Sequence, residues 1–237
     1  MCVLFSCISK LPSRTQFENS LILNSDGIGV AWVDRDKVHW EKGIEDIDTI
    51  YEVLKGKKFP YGIHFRSASS GGAIKELTHP FPLDQNSKTA LKGSTKEGVL
   101  FQNGTWLGWE NELRDVALHA HGVVDFTETE WSDARALAWL AGRFGVGYLS
   151  LLNFGTSRLL LMRPKQLLYW GEWLEGEGFY ASNAQYKNSS NVLKGKPTTV
   201  SQQPKAETKS EVTFIPNTLA SNVTSKEVQL GKWVGWL

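Results

Sequence analysis

Short apolar runs alternate with turn-forming residues along the first part of the chain and predict a series of β-strands. Ser25-Asp26-Gly27 is a turn signal between two such runs and predicts a hairpin, and Gly155-Thr156 predicts a second one. The predicted strands cover residues 2–9, 20–24, 28–33, 38–40, 61–67, 98–102, 147–154, 157–163, 167–170 and 179–182.

Helical spacing of apolar residues is found in three segments. The first is 46–54, the second is about 109–120, and the third begins at Ser132 as its N-cap and continues over 134–144. Residues 77–96 hold Pro, Asn and Ser and are predicted to be mostly loop. Strands on both sides of two central helices predict a mixed sandwich with antiparallel pairing, because a doubly wound parallel sheet would alternate strand and helix more regularly.

The composition changes after about residue 185. Residues 186–212 are rich in Lys, Ser, Thr, Gln and Pro and have little to bury, which is typical of a linker. Apolar residues, two tryptophans among them, return in 228–237, which we interpret as a docking element or a returning strand. We therefore expect one domain over 1–185 and a polar linker with a C-terminal tail over 186–237.

Charge and composition narrow the classes of function. The net charge of +1 provides no long-range field for nucleic acid or anionic lipid. No run approaches the roughly 20 apolar residues that span a bilayer, and residues 1–7 lack the basic region of a signal peptide. Cys2 and Cys7 lie too far apart on one strand for a disulfide, so a reducing, cytoplasmic setting is expected. We expect no metal ion and no cofactor.

Cys2 directly follows the initiator methionine and is the first candidate for chemistry. Its small side chain favours removal of Met1, after which Cys2 carries both a thiol and a free α-amino group. The pKa of an α-amine is about 7.7–8.0, so this amine can act as a general base for its own thiol at neutral pH. Taken alone, an ordinary strand residue is the simpler interpretation of Cys2.

Three further groups would complement a thiol nucleophile. Arg66 lies between a predicted strand and a loop of small residues, and it offers a two-pronged donor for a carboxylate, or simply an ion pair. Asn103 and Gly104 offer two donors for an oxyanion, or simply a hairpin turn. Asp133 at a predicted helix start offers a carboxylate for an ammonium group, or only complements the helix dipole.

The order of these motifs resembles that of the class II glutamine amidotransferases, the cysteine branch of the N-terminal-nucleophile hydrolases, and above all their stand-alone single-domain members. The resemblance covers about residues 1–184. Three departures from the family pattern are Val3, where glycine commonly follows the cysteine, Gln102, where histidine usually precedes Asn-Gly, and the loop 67–71, which lacks the bulkier side chains of several relatives. The matching motifs are Met1-Cys2, Asp26-Gly27-Ile28-Gly29, His64-Phe65-Arg66, Thr78-His79-Pro80-Phe81, Asn103-Gly104, Ser132-Asp133 and Tyr180-Ala181-Ser182.

The resemblance implies an α+β fold, the four-layer αββα sandwich, and a set of residue roles. Cys2 would be the nucleophile, and Asn103 and Gly104 would form the oxyanion hole. Arg66 would bind the α-carboxylate of the substrate and Asp133 its α-ammonium group. The other substrate-binding residues that it implies are Ser67, Ser69 and His79.

The implied function is that of a glutamine amidotransferase or glutaminase-type amidohydrolase, in which the Cys2 thiolate attacks the side-chain amide of glutamine and forms a thioester. The residues after 185 are too few and too polar for a synthase domain, so ammonia is expected to pass to a separate synthase partner. Two alternatives stay open. The first alternative is a stand-alone γ-glutamyl amide hydrolase. The second is a non-catalytic binding or assembly module that keeps the fold.

Overall fold

Two β-sheets stack face to face, and helices cover the outer face of each. The computed structural model describes residues 2–69, 72–83, 89–119, 131–187 and 211–215. None of the helices in these ranges is long and apolar enough to cross a membrane. The strands are β1 Val3–Cys7, β2 Ile28–Asp34, β3 Lys37–Ile44, β4 Tyr61–Phe65, β5 Phe81–Pro82, β6 Lys92–Thr95, β7 Val99–Asn103, β8 Arg158–Arg163, β9 Gln166–Trp170, β10 Leu174–Glu175, β11 Phe179–Ala181 and β12 Glu211–Ile215. The helices are α1 Arg14–Leu23, α2 Ile47–Leu54, α3 Trp109–His119 and α4 Asp133–Phe144, with 3-10 turns at Lys75–Leu77 and Val146–Leu151.

The first sheet has the strand order β10-β11-β1-β4-β2-β3-β6, and the second has the order β12-β9-β8-β7-β5. Pairing between the described strands is antiparallel except between β12 and β9, which run parallel. In the pair β1–β4, Val3 lies opposite Phe65. Cys2, one residue before Val3, therefore comes level with Arg66, one residue after Phe65.

Alternation of side chains along the strands creates the layers. On β1, Val3 and Phe5 pack against α1 and α2, whereas Leu4 faces the second sheet. On β7, Leu100 packs against α4, whereas Phe101 faces the first sheet. Burying a large apolar side chain contributes about 1.5–3 kcal/mol, so the three filled spaces between four layers hold the fold together. The layer between the sheets includes Leu4, Ala31, Val38, Trp40, Val99, Phe101, Leu160, Met162 and Tyr169.

The helix starts follow the capping chemistry of the sequence. Ser132 accepts a hydrogen bond from Arg135 N at 3.2 Å and caps α4, as predicted. Asp46 caps α2 in the same way. The predicted strand at 20–24 is wrong, because these residues belong to α1 and to its C-cap. Ser13 begins α1 through a capping box with Gln16, and this signal prevails over the β-prone run that follows.

Two further local predictions fail. β2 forms its hairpin with β3 instead of with residues 20–24. The predicted strand at 147–154 is largely the 3-10 turn Val146–Leu151, and its apolar residues, Leu149 among them, pack against α4. Buried apolar runs of this length do not distinguish a strand from a helical turn, and contact with α4 decides the outcome. The segment predicted as mostly loop contains the short strands β5 and β6.

The C-terminal region adds a strand that the sequence did not indicate. β12, Glu211–Ile215, lies beside β9 at the edge of the second sheet and within the segment predicted to be linker and tail. The predicted docking element at 228–237 lies outside the described residues, as do Met1 and most of the predicted linker. The domain boundary near residue 185 stays a prediction.

Gly29 tests how closely strand β2 approaches the backbone of His79 beside the candidate site. A Cβ atom there would overlap the carbonyl oxygen of His79 and lie 2.8 Å from its carbonyl carbon. Gly29→Ala should lower the free energy of unfolding by about 2–3 kcal/mol, because backbone would have to move. Urea denaturation measures the change. Gly147→Ala is the matched control, since nothing lies within 4 Å of its added Cβ, and equal effects of the two substitutions would contradict the packing.

Candidate active site

A single pocket collects most of the residues singled out from the sequence. It encloses about 310 Å³ of empty volume, open solvent included, where the sheets part near the start of β1. Every predicted site residue except Asn103 lines it. The lining residues are Cys2, Arg66, Ser67, Ala68, Ser69, Leu77, His79, Gln102, Gly104, Ser132 and Asp133.

The Cys2 thiol lies against the loop that follows β4. Its Sγ atom is 3.3 Å from both the N and the O of Ser67, so the sulfur can accept from that N–H or donate to that carbonyl. Asn183 Nδ2 donates to the Cys2 carbonyl oxygen at 2.6 Å and fixes the backbone. Burial raises the pKa of the Cys2 thiol, and the Ser67 N–H and the charge of Arg66 oppose this. A nearby base would therefore be needed to form a thiolate at neutral pH.

Arg66 is buried at the pocket wall. Its guanidinium donates to the Gly72 carbonyl at 2.6 Å and to the Ile74 carbonyl at 3.2 Å. Burial lowers the pKa of Arg66, whereas Cys2, Asp26 and Asp133 raise it. An arginine stays charged across the physiological range, so the pocket has one fixed positive charge close to the thiol.

The loop after Arg66 is pinned from two sides. Asp26 accepts a hydrogen bond from Ala68 N at 2.7 Å, and the backbone N–H of Asp26 donates to the Arg66 carbonyl at 3.0 Å. Ser69 Oγ lies 3.2 Å from the hydroxyl of Thr105, next to the Asn-Gly pair. The sequence indicated Asp26 as a turn residue and as part of a motif, but not its contact with Ala68, although an Asp-Gly pair often carries such side-chain-to-backbone bonds.

Asn103 and Gly104 end β7 at the pocket, but only Gly104 lines it. The φ angle of Gly104 is 131°, and an added Cβ would lie 2.7 Å from Ser157 Cα, so the position requires glycine. Asn103 is buried behind it and donates from Nδ2 to Ser182 Oγ at 2.7 Å. Ser182 Oγ also accepts from Leu4 N at 2.9 Å. The Asn103 amide is thus tied to the strand that begins beside Cys2.

Asp133 is held at the first turn of α4. One carboxylate oxygen, Oδ2, accepts from Trp106 N and from Gln102 Nε2, both at 2.9 Å. Burial raises the pKa of Asp133, and the hydrogen bonds from Trp106, Ala134 and Gln102 oppose the rise. Burial prevails, so the pKa of Asp133 stays above its usual value; when ionised, the carboxylate gives the pocket a negative group opposite in charge to Arg66.

Two histidines stack beside the pocket. The rings of His64 and His79 are 4.1 Å apart, and His79 Nδ1 accepts from Gln102 N at 3.2 Å, which leaves the ring proton of neutral His79 on Nε2. Burial lowers the pKa of His64 to about 3 and that of His79 well below its usual value. Both rings are therefore neutral at pH 7. Within the described ranges, no group of three or more His, Cys, Asp or Glu side chains is arranged to hold a metal ion.

Comparison with known proteins identifies the fold. No protein-family model matches the chain, and no curated protein matches it significantly by sequence. The allosteric regulatory enzyme of purine biosynthesis matches with a TM-score of 0.52 at 18% identity, over 78% of this chain and 42% of that one. Glutamine phosphoribosylpyrophosphate (PRPP) amidotransferase from B. subtilis, complexed with ADP and GMP, matches with a TM-score of 0.52 at 16% identity, over 78% of this chain and 42% of that one.

At these identities the likeness establishes the fold and nothing further. The expected α+β architecture, a four-layer αββα sandwich, is confirmed, and the two solved chains share it. The chain spans less than half the length of the two solved chains that it matches. Activity, substrate and partners therefore have to be argued from the pocket itself.

The different surroundings of the two cysteines lead to a prediction about alkylation. Iodoacetamide should modify Cys2, which lines the pocket, but not Cys7, which is fully buried beneath the helices of the first sheet. Because burial raises the pKa of Cys2, its alkylation rate should still be increasing above the ordinary thiol pKa of about 8.5. Peptide mass spectrometry after timed labelling at several pH values measures both sites.

Arg66→Gln serves as the internal check on that profile. Since the charge of Arg66 lowers the thiol pKa, its removal should move the pH profile of Cys2 to higher pH. Equal labelling of Cys2 and Cys7, or a rate at Cys2 that is constant above pH 8, would contradict the arrangement.

Proposed function

We propose that the protein is an amidohydrolase of the class II glutamine amidotransferase type, with Cys2 as its N-terminal nucleophile. The observation that carries the proposal is the meeting of a thiol, a buried arginine, a buried carboxylate and a glycine N–H on one pocket. The fold shared with an enzyme described as a glutamine PRPP amidotransferase supports it.

Opposite charges on the pocket wall favour a zwitterionic ligand. Arg66 would bind an α-carboxylate and Asp133 an α-ammonium group, so that the amino-acid head is held by both of its charges. The small residues Ser67 and Ser69 would line the space for the side chain, and His79 would contribute a neutral wall. With the α-carboxylate and the α-ammonium group held in this way, the side-chain amide of the substrate would point toward Cys2.

The proposed reaction begins after removal of Met1. The α-amine of Cys2 takes the thiol proton, and the thiolate attacks the side-chain carbonyl carbon of glutamine. The Gly104 N–H would stabilise the oxyanion from the pocket wall. The Asn103 amide, which is buried behind Gly104, would join it by turning the second hydrogen of Nδ2 toward the pocket, since Ser182 takes the first. The carbon–nitrogen bond then breaks, and the protonated amine gives its proton to the leaving ammonia. Water attacks the γ-glutamyl thioester, which releases glutamate and restores the thiol.

The fate of the ammonia belongs to the same proposal. We infer that it passes to a separate synthase polypeptide, as in an amidotransferase. A second candidate is a stand-alone γ-glutamyl amide hydrolase. The observation that supports this second candidate is that Arg66 and Asp133 would recognise only the α-groups of the substrate. They would leave the group beyond the γ-amide nitrogen unspecified. Comparison of L-glutamine with γ-glutamyl amides as substrates distinguishes the two.

The nucleophile gives the first test. The processed protein should release ammonia and glutamate from L-glutamine, and Cys2→Ala should abolish the release because no thioester can form. Cys7→Ala is the matched control, since Cys7 faces the helices and not the pocket. An assay coupled to glutamate dehydrogenase measures the glutamate that is released. A diazo-ketone norleucine electrophile should add its mass to the peptide that contains Cys2.

The state of Met1 decides between the enzyme and a non-catalytic module with the same fold. Intact mass spectrometry of the natural protein should show a species without Met1, because a retained methionine would acylate the Cys2 amine and remove the base. A natural protein that keeps Met1, or a processed protein that neither reacts with the electrophile nor releases ammonia, would overturn the proposed function.

Substitution of Arg66 tests the carboxylate contact. Arg66→Lys should raise KM for L-glutamine about tenfold or more with a smaller change in kcat, since an ammonium group cannot make a bidentate bond. Arg158→Lys is the matched control. Its guanidinium also donates to two backbone carbonyls, those of Glu172 and Thr156, but does not line the pocket. Equal KM values for the two variants would contradict the assignment.

A further inference from the structure

Gln102 occupies a junction between the proposed recognition groups without having been assigned any role. It is 1% exposed, yet it lines the pocket. Its backbone N–H donates to His79 Nδ1 at 3.2 Å, and its side-chain Nε2 donates to Asp133 Oδ2 at 2.9 Å. Both of its donors are thus directed at residues that line the same pocket.

The orientation of the Gln102 amide follows from its partner. If oxygen and nitrogen were exchanged, Oε1 would face the Asp133 carboxylate, and two acceptors would repel each other. Nε2 therefore faces Asp133, and Oε1 lies on the other arm of the amide. This oxygen is buried and has no hydrogen-bond partner among the described residues. Because protein atoms enclose Oε1, the amide acts on the pocket through the contact of Nε2 with Asp133.

A neutral amide suits this position. It donates to the Asp133 carboxylate without adding a charge to the pocket. A second carboxylate at this position would instead repel Asp133 and raise one of the two pKa values.

We propose that Gln102 is a positioning residue for recognition of the α-ammonium group of the substrate: its Nε2 holds the Asp133 carboxylate in the orientation that receives that group. This inference rests on the proposed function, because that function supplies the α-amino-acid substrate. The hydrogen bond from Gln102 also lowers the pKa of Asp133 and so opposes in part the larger effect of burial. The charged or titratable groups that influence Asp133 or Gln102 are Arg66, Cys2 and His79.

Ligand binding without turnover provides the test. In protein with Cys2→Ala, isothermal titration compares L-glutamine with glutaramate, which is glutamine without its α-amino group. L-Glutamine should bind at least tenfold more tightly. Adding Gln102→Met, of nearly equal volume but without the amide, should weaken L-glutamine binding about tenfold or more and leave glutaramate binding within about twofold. If Gln102→Met does not fold, Gln102→Asn withdraws the amide and should give the same selective loss.

Tyr169→Phe is the control for loss of a buried hydrogen bond. Tyr169 Oη lies 2.6 Å from Ser6 Oγ between the sheets and does not line the pocket. This variant should keep the full preference for L-glutamine over glutaramate, whatever its loss of thermal stability. A preference that falls equally in Tyr169→Phe and Gln102→Met would show a structural effect and overturn the inference.

The outcomes separate this inference from the proposed function. Selective, Gln102-dependent binding of L-glutamine without any Cys2-dependent hydrolysis would sink the proposed reaction and leave the recognition role standing. Hydrolysis with an undiminished preference in Gln102→Met would sink the recognition role alone. No binding of L-glutamine by the Cys2→Ala protein would overturn both.

Discussion

The antiparallel pairing of β1 with β4 is the constraint on which the rest of the site depends. Its register sets Val3 against Phe65, so Cys2 meets the segment that begins at Arg66 with no intervening loop. β2 pairs with the other edge of β4 and anchors the same segment through Asp26. A shift of one residue would turn Leu4 toward the helices and Phe5 toward the second sheet, and burial on both faces of β1 opposes it.

Sequence features that act locally predicted much of this arrangement. The Ser132 cap, the Asn-Gly pair after β7 and the position of Cys2 each follow from backbone chemistry within a few residues. Contacts across the fold did not follow in this way. Gln102 and Asp133 are 31 positions apart, and Asn103 and Ser182 are 79 apart, so no local spacing indicates that they touch. The strand wrongly predicted at 20–24 is the opposite case. There the capping signal at Ser13, only a few residues away, indicates the helix that forms.

Charge balance in the pocket depends on groups that stay neutral. His64 and His79 lie near Arg66, and burial together with that charge keeps both rings unprotonated. Were these groups charged, the cations would outnumber Asp133 and an ammonium ligand would be repelled. Their burial therefore leaves a nearly balanced pair of charges, as a zwitterion requires.

A single hydroxyl joins the two sheets at the site. Ser182 Oγ accepts from Leu4 N on the first sheet and from Asn103 Nδ2 on the second. The spacing between the thiol strand and the strand of the Asn-Gly pair is therefore fixed by hydrogen bonds across the sandwich and not by the connecting loops. Loops elsewhere on the molecule are free to lengthen or shorten without altering that spacing. For anyone redesigning this scaffold, insertions are better tolerated in distant loops than a change of one methylene group at position 182.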